Sequence, residues 1–93
     1  MNINLNDEVL EFLESHASFG SEFNDIEDCF YQYVLYRREN SEKIAWKKTL
    51  NYTSLSLEPS EVADYVEEEM IPKCANFELS MEIADFVEEL NSL

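Results

Sequence analysis

Residues 29–57 read CFYQYVLYRRENSEKIAWKKTLNYTSLSL, and this stretch decides which fold the sequence predicts. Its first part, CFYQYVLYRR (29–38), is rich in aromatic and β-branched residues, a composition typical of strands. RENSEK (38–43) has the polar character of a turn, and KIAWKKTLNYTSLSL (43–57) follows it as a second strand-like run. Two such runs around a polar turn predict an antiparallel β-hairpin.

The second run also has the alternation of a strand. Ile44, Trp46, Lys48 and Leu50 fall on one face of an extended chain, while Ala45, Lys47 and Thr49 fall on the other. The first run has a second interpretation, because residues in and just before it have helical spacing, namely Ile26, Phe30, Tyr33 and Val34. A pair of helices is therefore the alternative to the hairpin.

Helical signals lie on both sides of this stretch. Asn6 is a predicted N-cap, and the acids that follow it favour the positive end of a helix. Asn24 with Glu27 three residues later fits a capping box. Pro59 suits the first position of another helix, and Ser80 is the predicted N-cap of the last one.

The apolar residues of these helices recur at helical spacing and are the predicted core: Val9, Phe12, Leu13 and His16, then Val62, Tyr65, Val66 and Met70, then Ile83, Phe86, Val87 and Leu90. Pro72 is expected to end the helix that begins at Pro59. The sequence therefore predicts one α+β domain over residues 1–93, with three or so acidic amphipathic helices and a central antiparallel β-hairpin. An all-α fold is the alternative.

The charge of the chain restricts its function. Of 93 residues, 21 are Asp or Glu and 6 are Lys or Arg, a net charge of −15, yet 45% are hydrophobic, which indicates a folded domain. Direct nucleic-acid binding and a polybasic membrane contact are excluded, because both need a basic face. There is no apolar run of about 20 residues and no signal peptide, so we expect a cytoplasmic protein.

The charges are also segregated along the sequence. The segment 37–48 contains five basic residues against Glu39 and Glu42, a net charge of +3. The other 81 residues contain 19 acids and Lys73 alone, a net charge of −18. Most of the surface is therefore expected to be acidic, with one nearly neutral to basic segment.

Within the predicted helices, acids recur on the faces opposite the apolar residues. They form three rows: Asp7, Glu11 and Glu14; Glu61, Asp64 and Glu68; and Glu82, Asp85 and Glu89. Successive carboxylates in a row are about 4.5–6 Å apart along the helix axis, and like charges at this spacing destabilise a helix by about 0.2–0.5 kcal/mol per pair. Because a net charge of about 2–8 is enough for solubility, this excess indicates a role in binding.

The charge density resembles that of DNA. A compact chain of this length has a diameter of roughly 30 Å, and duplex DNA carries about 18 charges over that length. The 15 net charges of the chain come close to this number. Such a surface would offer a DNA-binding cleft a field similar to that of DNA.

No pattern for catalysis or for a cofactor is present in the sequence. Asp25, Glu27 and Asp28 form a local acidic cluster, but they lack the spacing of a calcium-binding loop. The single glycine excludes a phosphate-binding loop. Cys29 and Cys74 are far apart, and we expect both to be reduced and buried. We therefore expect no enzymatic activity, no metal and no cofactor.

Aromatic residues are concentrated in the central segment. They build the core in one interpretation, and in the other some of them form an interface, since Tyr and Trp are common in binding hot spots. The segment is also where two copies would repel each other least. We therefore predict a homodimer joined through residues 30–50, with Tyr33, Tyr36 and Trp46 in the interface.

The chain resembles the DNA-mimic anti-restriction proteins of bacteriophages over its full length, from MNINLNDEVLEFLESH to EIADFVEELNSL. The resemblance lies in small size, extreme acidity, scarce glycine and rows of carboxylates. It implies an inhibitor that presents carboxylates in place of phosphates and evades host defence by blocking a restriction endonuclease, such as one that cuts modified-cytosine DNA. Nucleoid-associated proteins would be secondary targets. An immunity protein or antitoxin that neutralises a basic nuclease toxin is the alternative, and an acidic scaffold protein is the third hypothesis.

Overall fold

A computed structural model describes residues 5–16, 25–53 and 56–93. In these ranges the chain forms five α-helices: α1 (Leu5–His16), α2 (Asp25–Arg37), α3 (Glu42–Tyr52), α4 (Pro59–Tyr65) and α5 (Phe77–Asn91). A π-helical turn (Val66–Met70) and a 3-10 turn (Ile71–Lys73) connect α4 to the segment before α5. The radius of gyration is 12.2 Å and the principal extents are 33 × 31 × 21 Å.

The predicted β-hairpin, and with it the α+β fold class, is wrong. The described residues contain no strand, and α2 and α3 occupy the positions of the two predicted strands. The all-α alternative agrees with the structure. Aromatic and β-branched residues favour strands only weakly, and burial of a helical face outweighs that preference here.

Helix α3 shows how the strand pattern failed. The helix buries Ala45, Trp46 and Thr49, which lie on one face at helical spacing, whereas Ile44 and Leu50 are exposed. An alternating strand would have put Ile44, Trp46 and Leu50 on the same side. The hydroxyl of buried Thr49 donates a hydrogen bond to the carbonyl of Ala45 at 2.8 Å, so the helix itself satisfies this polar group.

The predicted polar turn RENSEK (38–43) agrees with the structure only in part, because residues 38–41 connect two helices and Glu42 and Lys43 belong to α3. Asn40 Nδ2 donates to the Tyr36 carbonyl at 2.8 Å and caps the end of α2. Arg37 Nη1 donates to the Asn40 carbonyl at 3.0 Å. These bonds close the turn, and α3 begins at Glu42 and packs against α2.

Helix α2 lies at the centre of the fold. It contacts α1, α3 and α4, and α5 packs against α1 and α4. The core contains a group of aromatic rings from three helices, in which Phe86 packs edge-to-face against Phe30 and Tyr33, and Tyr33 against Trp46, all with centroids 6.3 Å apart. Each such aromatic pair stabilises the fold by about 0.5–1.5 kcal/mol in addition to the contribution from burying the area of its rings.

Several predicted helix ends are shifted. Helix α1 includes Leu5, so Asn6 lies inside its first turn, and the predicted cap Asn24 lies outside the described residues. Helix α5 begins at Phe77 because the Asn76 side chain accepts a hydrogen bond from the Leu79 N–H at 3.0 Å. Ser80 is therefore inside this helix.

The helix that begins at Pro59 does not end abruptly at Pro72. Proline has no N–H, and in a continuous α-helix its ring would clash with the Glu68 carbonyl. The chain instead widens into the π-helical turn, in which the Ile71 N–H donates to the Val66 carbonyl, and then tightens into the 3-10 turn. Val66 and Met70 remain buried across this change.

Candidate functional site

The predicted carboxylate rows lie on the surface of three separate helical segments. Six of the nine acids are exposed: Glu11, Glu14, Glu61, Asp64, Glu68 and Asp85. The other three are partly buried: Asp7, Glu82 and Glu89. We call these nine residues the carboxylate surface.

Exposed acids are densest in the segment from α4 through the π-helical turn, which contributes three residues to the carboxylate surface and adds Glu67 and Glu69 beside them. Glu61 and Asp64 are exposed on α4, and Glu67, Glu68 and Glu69 are consecutive exposed acids in the turn. The i→i+5 hydrogen bonding of a π-helix puts more residues into each turn than an α-helix does. Three acids therefore face solvent between the buried side chains on either side of them.

Glu61 has a second role. Its Oε1 accepts a hydrogen bond from the Glu58 backbone N–H at 2.7 Å, and the Glu58 side chain accepts one from the Glu61 N–H, which completes a capping box at the start of α4. A capping box satisfies backbone donors that the helix leaves without partners. Glu61 thus stabilises α4 as well as contributing charge.

Tyrosine hydroxyls hold three acids by hydrogen bonds between helices, two of them in the carboxylate surface. Tyr31 on α2 donates to Glu14 Oε2 on α1 at 2.8 Å. Tyr65 on α4 donates to Glu27 Oε2 on α2 at 3.0 Å. Tyr33 is the third donor, and its acceptor is Glu89 on α5, 56 residues along the chain. Hydrogen bonds to ionised acceptors are shorter and stronger than neutral ones, so they restrict where these carboxylates point.

The pKa values of the three tyrosines reflect these bonds. Burial, followed by the hydrogen bond to Glu27, raises the pKa of Tyr65 to about 12. Burial and the bond to Glu14 raise the pKa of Tyr31, and burial and the bond to Glu89 raise that of Tyr33. The hydroxyls therefore stay protonated, and remain donors, further into the alkaline range than an ordinary tyrosine does.

Glu89 is the most constrained acid of the carboxylate surface. Arg37 binds it with two hydrogen bonds, Nε to Oε1 at 2.9 Å and Nη2 to Oε2 at 3.0 Å. The hydrogen bond to Glu89 raises the pKa of Arg37 further. Asp7 is also paired, with its Oδ1 3.3 Å from Arg38 Nη2. These two acids are partly neutralised by the basic segment.

One acid of α5 lies close enough to an acid of α1 to be affected by its charge. Burial, and then the charges of Asp85, Glu89 and Glu8, raise the pKa of Glu82. Glu8 is on α1, whereas Glu82, Asp85 and Glu89 are on α5, and the two helices pack against each other.

Two of the three predicted dimer residues lie in the core of one chain. Tyr33 is fully buried and Trp46 is 9% exposed, so neither presents its ring to a second copy. Tyr36 is partly exposed, and Lys48 Nζ lies 5.8 Å from the centroid of its ring. Helix α3 instead exposes other apolar side chains, Ile44, Leu50 and Tyr52.

The structure describes part of the local acidic cluster. Glu27 accepts the hydrogen bond from Tyr65, whereas the side chain of Asp25 lies outside the described part of the structure, as does that of the predicted core residue His16. No cluster of three or more His, Cys, Asp or Glu able to hold a metal ion occurs among the described residues.

Both cysteines are free thiols, but they differ in burial. Cys29 is buried as predicted, and burial followed by the charge of Asp28 raises the pKa of its thiol to about 11. Cys74 is only partly buried, so that part of the prediction is wrong. In the described ranges, every helix is too short or too polar to cross a bilayer.

Sequence reasoning located the acids but missed the tyrosines that orient them. The donors and acceptors are 17, 38 and 56 residues apart, so no local spacing signals the pairs.

Comparison with known proteins adds nothing to this picture: no protein-family model matches the chain, and neither a curated protein nor a solved structure matches it.

Proposed function

We propose that the protein is a DNA-mimic inhibitor that occupies the DNA-binding site of a host protein, either a restriction endonuclease or a nucleoid-associated protein. The observation that carries this proposal is the carboxylate surface, in which acids from α1, α4 and its π-helical turn, and α5 lie on one small body. The proposed site of action is the host bacterial cytoplasm.

The density of charge supports mimicry of a duplex. The longest extent of the molecule is 33 Å, over which duplex DNA carries about 19 phosphates. The net charge of −15 is of similar size on a body of that length. A basic cleft that attracts DNA would therefore attract this protein strongly and at a high association rate.

The way some acids are held supports a surface of defined geometry. A DNA-binding site recognises phosphates at fixed positions, whereas freely rotating glutamates lose side-chain entropy on binding. Glu14 and Glu89 are held by tyrosine hydroxyls, and Glu89 also by Arg37. These two side chains therefore lose less conformational entropy when they bind a partner.

The test is elution of a bound partner by DNA. The full chain is immobilised and exposed to bacterial lysate, and bound proteins are eluted in parallel with duplex DNA or with poly-glutamate at an equal concentration of charge. The proposal predicts that duplex DNA elutes a DNA-binding protein and that poly-glutamate, which has charge without fixed geometry, elutes much less of it. Elution by neither polymer, or binding unchanged in 0.5 M salt (a concentration of about three times the physiological value), contradicts the proposal.

The acids of the π-helical turn favour one second candidate, an immunity protein or antitoxin that covers the active site of a basic nuclease toxin. The exposed acids from Glu61 to Glu69 lie on one segment, as expected of a surface that neutralises one active site. In that case, neutralising Glu67 and Glu69 would abolish binding, while the rows on α1 and α5 would be dispensable. A DNA mimic needs acids from more than one helix.

We also propose a homodimer, with α3 replacing the predicted hairpin as its interface. Ile44, Leu50 and Tyr52 are exposed on this helix beside Lys43, Lys47 and Lys48. Two copies meeting at α3 would bring together apolar side chains and keep the carboxylate surfaces apart.

A further inference from the structure

Helix α5 carries an exposed apolar pair within its acidic region. Phe77 is 75% exposed and Met81 is 54% exposed, the two highest values among the large hydrophobic side chains described in these ranges. They are four residues apart, so they are neighbours on one face of the helix, and the exposed Ala84 continues that face. The core face of α5 is a different one, formed by Ile83, Phe86, Val87 and Leu90.

The surroundings of this pair are negatively charged. Glu78 and Asp85 lie three and four residues from Met81, and Glu88 lies four residues beyond Ala84, and all three are exposed. Helical spacing makes them direct neighbours of the apolar face. An apolar centre with a charged border is the usual organisation of a protein-binding surface.

We infer that Phe77 and Met81 anchor the protein in an apolar pocket that is bordered by Lys and Arg side chains on its DNA-binding target. This inference rests on the proposed function and adds to it. The border acids pair with the basic residues of the partner, and the Phe77 ring and the Met81 side chain fill the pocket between them. Aromatic residues and methionine are enriched at the buried centres of interfaces, where most binding energy resides.

Charge identifies the partner class. A nucleic acid would bring phosphates against these acids, and a second copy that met the pair with its own α5 would bring further acids, so both would be repelled. The α3 helix of a second copy has exposed apolar residues beside Lys43, Lys47 and Lys48, but the proposed homodimer buries that helix. The Phe77–Met81 pair therefore fits a basic surface on a different protein.

The pair would give the inhibitor selectivity that carboxylates alone cannot provide. All DNA-binding clefts are basic, so a surface of acids attracts many of them. Duplex DNA presents no aromatic side chain, and the thymine methyl is its main apolar group in the major groove. A target with an apolar pocket at the correct place would be bound more tightly than a target with the same charge and no pocket.

The test uses the DNA-binding protein that duplex DNA elutes in the lysate experiment, in purified form, and measures its affinity over a range of salt concentrations. The variant Phe77→Ser/Met81→Ser is expected to bind at least about tenfold more weakly, as is typical of hot-spot truncation. Its salt dependence should be unchanged, because no charge is removed. Leu93→Ser removes another exposed apolar side chain, 40% exposed, and should bind like the wild type.

A charge variant separates this inference from the proposed function. Asp85→Asn/Glu88→Gln should weaken the salt dependence of binding, which the apolar variant does not do. Wild-type affinity in Phe77→Ser/Met81→Ser, with duplex DNA still competing against the wild type, overturns the inference and leaves the proposed function intact. Failure of duplex DNA to compete with the wild type overturns both. Circular dichroism of each variant verifies that it is folded.

Discussion

The Tyr33 hydroxyl donates a hydrogen bond of 2.8 Å to Glu89 Oε1, and this bond joins the centre of the core to the carboxylate surface. The same oxygen accepts from Arg37 Nε at 2.9 Å. Tyr33 is fully buried, and its ring packs against Trp46 and Phe86. The core thus fixes the position of Glu89, one acid of the proposed mimic. The acids therefore divide into those that hydrogen bonds within the fold hold in place and those that only project into solvent.

Two variants that remove this connection should destabilise the fold by different amounts. Tyr33→Phe removes one hydrogen bond to a carboxylate that Arg37 still binds, so the free energy of unfolding should fall by about 1–2 kcal/mol. Glu89→Ala also leaves a buried hydroxyl and a guanidinium without their acceptor, and should cost about 2–3 kcal/mol. Urea unfolding monitored by Trp46 fluorescence measures both values.

Tyr31→Phe is the control for that pair of variants. It removes a hydrogen bond to Glu14 that is exposed to solvent, and exposed interactions of this kind contribute less than about 1 kcal/mol. A loss in Tyr31→Phe as large as the loss in Glu89→Ala would contradict the distinction between acids held by the core and acids held at the surface.

The tyrosine–carboxylate bonds also predict sensitivity to alkaline pH. An unfolded tyrosine releases its proton near its ordinary pKa of 10.0, whereas burial and Glu27 raise the pKa of Tyr65 to about 12 in the folded chain. Between these values the folded state binds more protons than the unfolded state, so the free energy of unfolding falls as pH rises. Tyr31 and Tyr33 act in the same direction because their pKa values are also raised.

Urea unfolding at a series of pH values above about 9, together with tyrosinate absorbance, measures this effect. Tyr65→Phe should be less stable at neutral pH and should lose less stability as the pH rises. A wild-type free energy of unfolding that stays constant while the tyrosines ionise would show that these hydroxyls are not held in the folded state.

The dimer proposal predicts self-association through α3. Ile44, Leu50 and Tyr52 are 51%, 38% and 53% exposed, and the lysines beside them make this the part of the chain with the least negative charge. Sedimentation velocity at micromolar concentration in ordinary salt should show a dimer. Ile44→Glu/Leu50→Glu should be a folded monomer, because it adds two negative charges to each side of the interface. A monomeric wild type contradicts this proposal.

The sequence was sufficient to predict the helices on either side of the centre. Val9, Phe12 and Leu13 in α1 are buried as their spacing predicts, as are Ile83, Phe86, Val87 and Leu90 in α5. In these segments the spacing of the apolar residues and the positions of the acids both indicate an amphipathic helix, so the sequence has a single interpretation. The nine acids of the predicted rows lie at the surface, six exposed and three partly buried, and their role in binding stays a prediction.

The sequence was not sufficient for the centre of the chain. Tyr33 and Val34 suit a strand by composition and a helix by spacing, and only the packing of α2 against three other helices decides between them. The contacts that hold the carboxylates could not be predicted either, because each joins two helices that are distant in sequence. The π-helical turn at the end of α4, which keeps Met70 buried just before Pro72, was not predicted either.

The central claim is that the carboxylates themselves are what a DNA-binding target recognises, and paired neutralisations test it. Asp64→Asn/Glu68→Gln removes two exposed charges of the carboxylate surface, and Glu39→Gln/Glu42→Gln removes two charges from the basic segment. Glu61 is left unchanged because it caps α4. Both variants have the same net charge, so any difference between them arises from position.

The decisive measurement is the concentration of each variant that displaces duplex DNA from the purified target. We expect Asp64→Asn/Glu68→Gln to require a concentration at least about tenfold higher than the wild type, although its free energy of unfolding should be equal or higher because like charges are removed. Glu39→Gln/Glu42→Gln should displace DNA like the wild type. Equal displacement by both variants and the wild type would show that the carboxylates on the α4 segment are not what the target binds.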